Sequence, residues 1–328
     1  MKKLICVLVS LMFLVPLFAN GDQEGGIKNY KLALSGPPGC AEVVAAEKFA
    51  EYVSELSEDR IKIDVLSGGQ GGGEREIGEA LNLGTMDFGV LAGVLMNFDQ
   101  ALTIVEWDLL FKSDDHVRAV MNGSVGEKIS QRLIDNIGVR QIGVFMRTPR
   151  LLTTNKPVNC LADLQGMKIR VPEMPARVKL WEALGAKPTP MSFTEVVSSL
   201  QLGTIDGQEN PISVIESAKI YEAIDYLADT RHLHGFMLLL VNEDVWNSLS
   251  PAEQEIINEA AGRACKFNDG LVAAGEDTLM KKVSAEMTVT HPDMQEWRDA
   301  VKDVYKEFAD VNGFLDLYES IIEVGEDF

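Results

Sequence analysis

Apolar and polar positions along the first part of the chain change between two periodicities. Residues 30–35 alternate with period two, which predicts a strand, and residues 61–66 predict a second one. Between them, residues 40–56 carry apolar side chains at helical spacing. This order of strand, helix and strand is typical of a domain built on a parallel sheet.

A short strand is also predicted in the middle of the chain. Met167, Ile169 and Val171 alternate with Lys168 and Arg170, and a proline follows. If the odd positions face a core, Arg170 faces away from it, toward the space beyond the end of the strand. A guanidinium held there matches a carboxylate in shape and charge. We therefore expect Arg170 to anchor an anionic small molecule.

Two segments share one pattern. Residues 81–87 read Leu-Asn-Leu-Gly-Thr-Met-Asp and residues 200–206 read Leu-Gln-Leu-Gly-Thr-Ile-Asp. Two similarly built α/β domains would produce such a repeat. Alternatively, the two segments resemble each other only because helix-to-strand junctions commonly share a glycine that ends the helix.

Three helix starts carry the spacing of a capping box, in which a serine is followed three residues later by a glutamate. The pairs are Ser124 with Glu127, Ser192 with Glu195, and Ser250 with Glu253. The third is followed by helical periodicity to about residue 283, which predicts a helix long enough to span two domains.

A glycine-rich segment lies at residues 68–73 and is followed by Glu74. Glu74 stands where a dinucleotide-binding fingerprint needs its last glycine, and no Gly-Lys-Ser/Thr follows. We therefore interpret the segment as a flexible strand-to-helix loop beside a ligand cleft rather than as a phosphate-binding loop.

Composition narrows the class of protein. A chain of 328 residues, 46% hydrophobic and 24% charged, is expected to form two globular domains. The formal net charge of -20 argues against nucleic acids and anionic membranes as partners. Any attraction for an anionic ligand must then come from local cations and backbone dipoles.

The N-terminus has the pattern of a secretory signal. Lys2 and Lys3 precede an apolar run over residues 4–18, and cleavage is expected after Ala19. We predict a signal peptide over residues 1–19 and a periplasmic mature chain that does not insert into the bilayer. The alternative of a retained anchor is disfavoured because the run is short for a membrane span.

Metal and disulfide chemistry find little support in the sequence. Outside the signal, Cys40, Cys160 and Cys265 permit one disulfide at most, and their spacing selects no pair. His232 and His234 share one face if their segment is a strand, but other ligands are missing nearby. We expect no metal and no cofactor.

Three segments together resemble the solute-binding subunits of TRAP transporters, of the DctP type. They read Gly-Met-Lys-Ile-Arg-Val-Pro at 166–172, Pro-Thr-Pro-Met-Ser-Phe-Thr-Glu-Val at 188–196 and Asp-Gly-Gln-Glu-Asn-Pro at 206–211. Their order and spacing match the family, and the similarity runs through nearly the whole mature chain.

The resemblance implies the fold. It is an α/β, two-lobed periplasmic-binding-protein fold, in which helices flank a mixed, mainly parallel sheet in each lobe and a long helix spans both. Residues 27–147 and 236–275 are expected to form lobe 1. Residues 148–235 and 276–328 are expected to form lobe 2.

The resemblance also implies the ligand site. Arg170 would clamp a carboxylate and Arg150 would support it from the side. Asn210 and Phe193 would fix its orientation. The alternatives are a solvated Arg150 and a Phe193 buried in the core.

Glu173 stands where some family members carry a different polar residue. Close to the clamp it would repel a second acidic group and accept hydrogen bonds from hydroxyls. That favours a uronate or a related acidic sugar over a C4-dicarboxylate or a keto acid. The alternative for Glu173 is that it points to solvent.

The function implied is binding of an organic acid between two closing lobes and its delivery to the TRAP membrane subunits. An exported two-domain enzyme is disfavoured, because the sequence has no Gly-x-Ser-x-Gly elbow and no recognisable triad histidine. We therefore expect no catalytic residues. A ligand-sensing partner of a membrane receptor would share the same cleft and stays open.

Overall fold

The structure is a computed structural model that describes residues 26–328, so the predicted signal peptide lies outside the described residues. The strands in chain order are β1 (Lys28–Ala33), β2 (Ile61–Leu66), β3 (Phe88–Leu91), β4 (Val139–Met146), β5 (Arg150–Thr154), β6 (Lys168–Val171), β7 (Lys187–Pro190), β8 (Gly207–Pro211), β9 (Tyr226–Leu233), β10 (Phe236–Asn242) and β11 (Thr288–Thr290).

The α-helices are α1 (Ala41–Leu56), α2 (Glu74–Asn82), α3 (Asp114–Met121), α4 (Ser124–Ile137), α5 (Pro175–Ala183), α6 (Val196–Gln201), α7 (Ile212–Ser217), α8 (Glu243–Ser248), α9 (Pro251–Glu286), α10 (Met294–Val301), α11 (Val304–Val311) and α12 (Leu315–Val324). Short 3-10 helices include Gly93–Asn97, Gln100–Glu106 and Phe193–Glu195. No helix in residues 26–328 is both long and apolar enough to cross a bilayer.

The strands form two sheets, one in each lobe. The first has the order β2-β1-β3-β10-β4 and the second the order β11-β9-β5-β8-β6-β7. Both mix parallel and antiparallel pairs, since β10 runs antiparallel to β3 and β4, and β5 runs antiparallel to β8 and β9. The two-lobed α/β fold predicted from the sequence is confirmed.

The chain crosses between the sheets three times, once through α9 between β10 and β11 and twice through two neighbouring segments. One joins β4 to β5 and the other joins β9 to β10. The amide of Arg147 donates to the carbonyl of Gly235 at 3.0 Å, so the two crossings lie side by side. β9 belongs to the second sheet and β10 to the first, so the chain returns to the first lobe between these two strands.

The repeated pattern forms the same junction in both lobes. Gly84 and Gly203 end their helices with φ of 70° and 67°, a conformation that favours glycine. In each lobe the aspartate that closes the pattern accepts a backbone amide of the neighbouring strand at 2.8 Å, Asp87 from Lys31 and Asp206 from Lys168. The repeat therefore reproduces a hydrogen-bonding pattern as well as a glycine cap.

The long helix α9 has 36 residues and packs against α1 and β4 of the first lobe and α7 and β11 of the second. Its predicted capping box, Ser250 with Glu253, is confirmed. The other two boxes are wrong. Gly123, not Ser124, precedes α4 and no side chain caps it, and Ser192 precedes a 3-10 turn without a side-chain cap.

Candidate functional site

A cavity lies between the lobes where the ends of strands from both sheets meet. The empty space between its walls, including the part open to solvent, is about 400 Å³. Its polar lining comes from both lobes and comprises Ser35, Glu42, Glu74, Glu106, Arg147, Arg150, Arg170 and Asn210. Phe193, Pro172, Val214 and Met237 add apolar wall.

Arg170 differs from the other two arginines of this lining in what compensates its charge. Its side chain is 4% exposed, and both Nε and Nη2 donate to one acceptor, the carbonyl of Met191, at 3.0 and 2.8 Å. Within residues 26–328 it forms no ion pair, and its Nη1 makes no hydrogen bond. Burial lowers the pKa of Arg170 to about 10, the direction expected for a cation removed from water without a counter-ion.

Phe193 lies beside this guanidinium. The centre of the Arg170 guanidinium is 5.9 Å from the centroid of the Phe193 ring, which is within the range of a cation–π contact. The ring thus restricts the orientation of the arginine and forms one wall of the cavity.

Arg150 has the opposite surroundings. Its Nη1 donates to Glu106 at 2.8 Å, its Nη2 donates to Glu209 Oε1 at 3.0 Å, and its Nε also donates to the Glu209 carboxylate. The sequence-based prediction gave Arg150 a supporting contact to the ligand. The structure places it in the cavity wall, but with all three nitrogens already bonded to protein groups.

Arg150 is part of a larger buried network of charged groups behind the cavity. Arg177, fully buried, donates to Asp108 at 2.7 Å and lies 2.9 Å from Glu209. Burial alone would raise the pKa of Glu209, but the guanidinium groups of Arg150 and Arg177 outweigh it and hold that pKa well below its usual range.

His232 completes this network. Its Nε2 lies 3.2 Å from Glu209 and its Nδ1 lies 2.7 Å from the hydroxyl of Thr230. Asp108, Glu209 and His232 are close enough to share a metal ion. Arg177 contacts both carboxylates, however, and a cation already fills the position between them. His234 lies apart and contacts Asp114 at 2.8 Å.

Asn210 is held by a chain of side-chain hydrogen bonds along β5 and β8. Gln208 Nε2 donates to the Thr153 hydroxyl at 2.8 Å, and Asn210 Nδ2 donates to Gln208 Oε1 at 2.6 Å. With the amide assigned this way, Asn210 Oδ1 has no donor within residues 26–328. The arrangement suits a ligand hydroxyl that donates a hydrogen bond.

Glu173 lies outside the cavity that holds Asn210. It lines an adjoining cavity together with Arg75 and Ser192, and its carboxylate is 3.9 Å from Arg75 Nη1. Its contact with a ligand stays a prediction, and its observed partner is an arginine of the opposite lobe.

Sequence reasoning missed Glu74, the first residue of α2. It lines the cavity and accepts a hydrogen bond from Ser35 at 3.2 Å. Burial, reinforced by Glu106, raises the pKa of Glu74 although Arg147 and Arg170 are near. The signal was present in the sequence, because a carboxylate that opens a helix after a strand lies at the edge where the lobes meet.

Arg147 was also missed as a cavity residue. It is 8% exposed and pairs with Glu42 at 2.7 Å, so its charge is locally balanced. Arg147, Arg150 and Arg170 thus face Glu42, Glu74 and Glu106 around one cavity, and Arg170 is the arginine of this set without an ion pair.

Comparison with known proteins agrees with this geometry. Residues 35–311 match the model of the DctP family, bacterial extracellular solute-binding protein family 7. A solute-binding protein of Roseobacter denitrificans is 38% identical over 262 residues, which cover 79% of this chain and 80% of that protein.

Solved structures show the same fold. A TRAP periplasmic solute-binding protein of Roseobacter denitrificans with bound L-galactonate is 34% identical, with a TM-score of 0.85 over 90% of this chain and 99% of that one. One of Sulfitobacter with bound β-D-galacturonate is 27% identical, with a TM-score of 0.86 over 92% and 100% of the two chains. The chain therefore belongs to the DctP family of bacterial extracellular solute-binding proteins, the periplasmic subunits of TRAP transporters.

Proposed function

We propose that the protein binds one molecule of a polyhydroxylated monocarboxylic acid, an aldonate or a uronate, in the cavity between its lobes. The observation that supports this most directly is the buried guanidinium of Arg170, which, among residues 26–328, has one carbonyl as its acceptor and no partner at Nη1. A buried charge without a counter-ion is costly, and a ligand carboxylate would remove that cost.

The remaining lining favours hydroxyl groups on the rest of the ligand. Glu74 and Asn210 Oδ1 offer acceptors, and Ser35 offers a hydroxyl. A second carboxylate would be repelled by Glu74, which forms no ion pair in residues 26–328, whereas Glu42 and Glu106 are paired with Arg147 and Arg150. The charges of the lining therefore argue for a monoacid over a dicarboxylate. The reason is the repulsion of a second acidic group, which the sequence had suggested for Glu173.

The acids bound by the relatives agree with this chemistry. The Roseobacter protein holds L-galactonate and the Sulfitobacter protein holds β-D-galacturonate, both monocarboxylates with several hydroxyls. We propose that this chain acts in the periplasm after removal of residues 1–19, and that it delivers its acid to TRAP membrane subunits without changing it chemically.

A thermal-shift series tests the ligand class, because a ligand that binds only the folded state raises its stability by mass action. The series compares L-galactonate with L-galactose, which lacks the carboxylate, and with galactarate, which has two. D-galacturonate, succinate, pyruvate and N-acetylneuraminate extend it.

We expect the melting temperature to rise with L-galactonate or D-galacturonate and to stay unchanged with L-galactose and galactarate. The largest shift with succinate or pyruvate would instead support the dicarboxylate or keto-acid alternative and refute the proposal. Mass spectrometry of the bound acid after long incubation should return it unchanged, and a new product would indicate an enzyme.

A further inference from the structure

The glycine-rich loop between β2 and α2 makes direct contact with the opposite lobe. This loop, residues 67–73 of lobe 1, lies across the mouth of the cleft from residues 191–195 of lobe 2, which we call the facing turn. A Cβ atom placed on Gly73 would lie 2.4 Å from the hydroxyl oxygen of Ser192, and one on Gly69 would lie 2.9 Å from Thr194 Cγ2. A side chain at either position would force Ser192 or Thr194 to move while the lobes are in contact.

The backbone of Gly73 does not itself require glycine. Its φ of -76° and ψ of 171° belong to the extended region that any residue adopts. Gly69 differs, because its φ of +87° favours glycine whatever its neighbours are. Closeness to Ser192 in the other lobe is therefore the main restriction at Gly73, the other near group being the flexible end of Glu76 at 2.6 Å.

A second glycine lies in a similar position deeper in the cleft. A Cβ atom on Gly93 of lobe 1 would lie 2.2 Å from the terminal methyl carbon of Met174 in lobe 2. Nearby, Asn97 Nδ2 donates to the carbonyl of Glu173 at 3.4 Å. The lobes thus meet along a line of contacts in which lobe 1 contributes glycines.

On the basis of the proposed function, we propose that Gly73 is a positioning residue that sets ligand affinity through closure of the lobes, because its missing side chain leaves room for Ser192 of the opposite lobe. Gly73 does not line the cavity around Arg170 and Asn210, whereas Ser192 lines the adjoining cavity that Arg170 and Glu173 share. A ligand shifts the equilibrium toward the closed state only by its extra affinity for that state, so a group that obstructs closure lowers the observed affinity. Because glycine has no Cβ, the glycine-rich loop can reach the facing turn, and the two lobes then enclose the ligand.

A cross-link tests the contact without any ligand. The Cβ atom placed on Gly73 would be 3.3 Å from the Cβ of Ser192, close to the separation found in disulfides. We expect the double variant G73C/S192C to form a disulfide between positions 73 and 192 on mild oxidation, identified by peptide mass mapping. Absence of that disulfide, with the single variant S192C folded normally, would overturn the proposal.

A second test adds a side chain at position 73 and removes the hydroxyl at position 192, and calorimetry measures the affinity for L-galactonate. We expect Gly73→Ala to weaken binding about tenfold or more, since closure is opposed. Ser192→Ala is the reference for the double variant G73A/S192A, whose affinity should lie within about threefold of that of Ser192→Ala, because the obstructing oxygen is gone.

Gly270→Ala is the matched control, because a Cβ atom at this position of α9 meets nothing within 4 Å. Wild-type affinity in Gly73→Ala, or failure of Ser192→Ala to restore binding, would refute the inference. Failure of the wild-type protein to bind any of the acids would refute the proposed function instead, and the cross-link would still decide the contact.

Discussion

Two buried arginines that line the same cavity, Arg150 and Arg170, differ in the groups that surround them. Arg150 lies in a network where two carboxylates take up its hydrogen bonds. Arg170 lines the same cavity with one carbonyl as its acceptor and no ion pair in the part of the chain that the structure describes. The two side chains are equally buried, but one guanidinium is paired with carboxylates and the other is not. The unpaired guanidinium is the one that can still bind a ligand carboxylate.

The contrast also predicts that one arginine matters mainly for the stability of the fold and the other mainly for ligand binding. Removing one partner from a buried ion pair leaves an uncompensated charge and destabilises the fold. Removing a buried cation without a counter-ion has no such cost. We therefore expect substitutions at the two arginines to produce different losses, and the following experiments test that difference.

The largest expected effect is on affinity at Arg170. In Arg170→Ala a ligand carboxylate would be enclosed without a counter-ion, so binding of L-galactonate should weaken by about 3–5 kcal/mol. Calorimetry measures this, with Arg298→Ala on the exposed part of α10 as a control. An unchanged affinity in Arg170→Ala would remove the basis of the proposed site.

The next effect is on stability at Arg150. Arg150→Met leaves Glu209 and Glu106 buried with less compensation, so the free energy of unfolding of the ligand-free protein should fall by about 3 kcal/mol or more. Arg170→Met should leave that free energy unchanged or raise it. Urea denaturation compares the two variants, and equal losses in both would contradict the comparison.

A smaller effect concerns Glu74 and depends on pH. Because the pKa of Glu74 is raised, the folded state holds this proton more tightly than the unfolded state, and the contribution of Glu74 to stability falls as pH rises through the raised pKa. Glu74→Gln should therefore stabilise the ligand-free protein at about pH 7, and the gain should shrink toward about pH 5.

Melting temperatures of both proteins over this pH range measure the difference. A gain of the same size at every pH would show that the charge of Glu74 is not its cause.

The smallest effect is expected at Glu173. Its contact with Arg75 spans 3.9 Å between side chains that are 34% and 50% exposed, and such pairs contribute less than about 1 kcal/mol. Glu173→Gln should change the affinity for L-galactonate by less than that in calorimetry. A loss above about 1.5 kcal/mol would indicate a hydrogen bond from the ligand to this carboxylate, as the sequence analysis predicted.

Local patterns predicted what is determined locally. The alternation around Arg170 placed a guanidinium at the end of a short strand, and the structure has Arg170 in β6 at the cavity. The glycines that end helices and the capping box of α9 could also be predicted from the sequence, because each feature involves residues only a few positions apart.

Pairing over long sequence separations could not be predicted in this way. Arg150 and Glu209 are 59 positions apart, and nothing around either residue shows that β5 and β8 are neighbours. Gln208, Glu209 and Asn210 form a polar segment that is fully buried in the middle of a sheet. A polar stretch of this kind is usually interpreted as a loop, and only the network explains its burial.

The carbonyl of Met191 has a consequence for the whole cleft. It accepts both hydrogen bonds of Arg170, and the next residue, Ser192, begins the surface that meets the other lobe. In the proposed complex, the carboxylate bound by Arg170 would therefore lie about one peptide unit from the place where the two lobes touch.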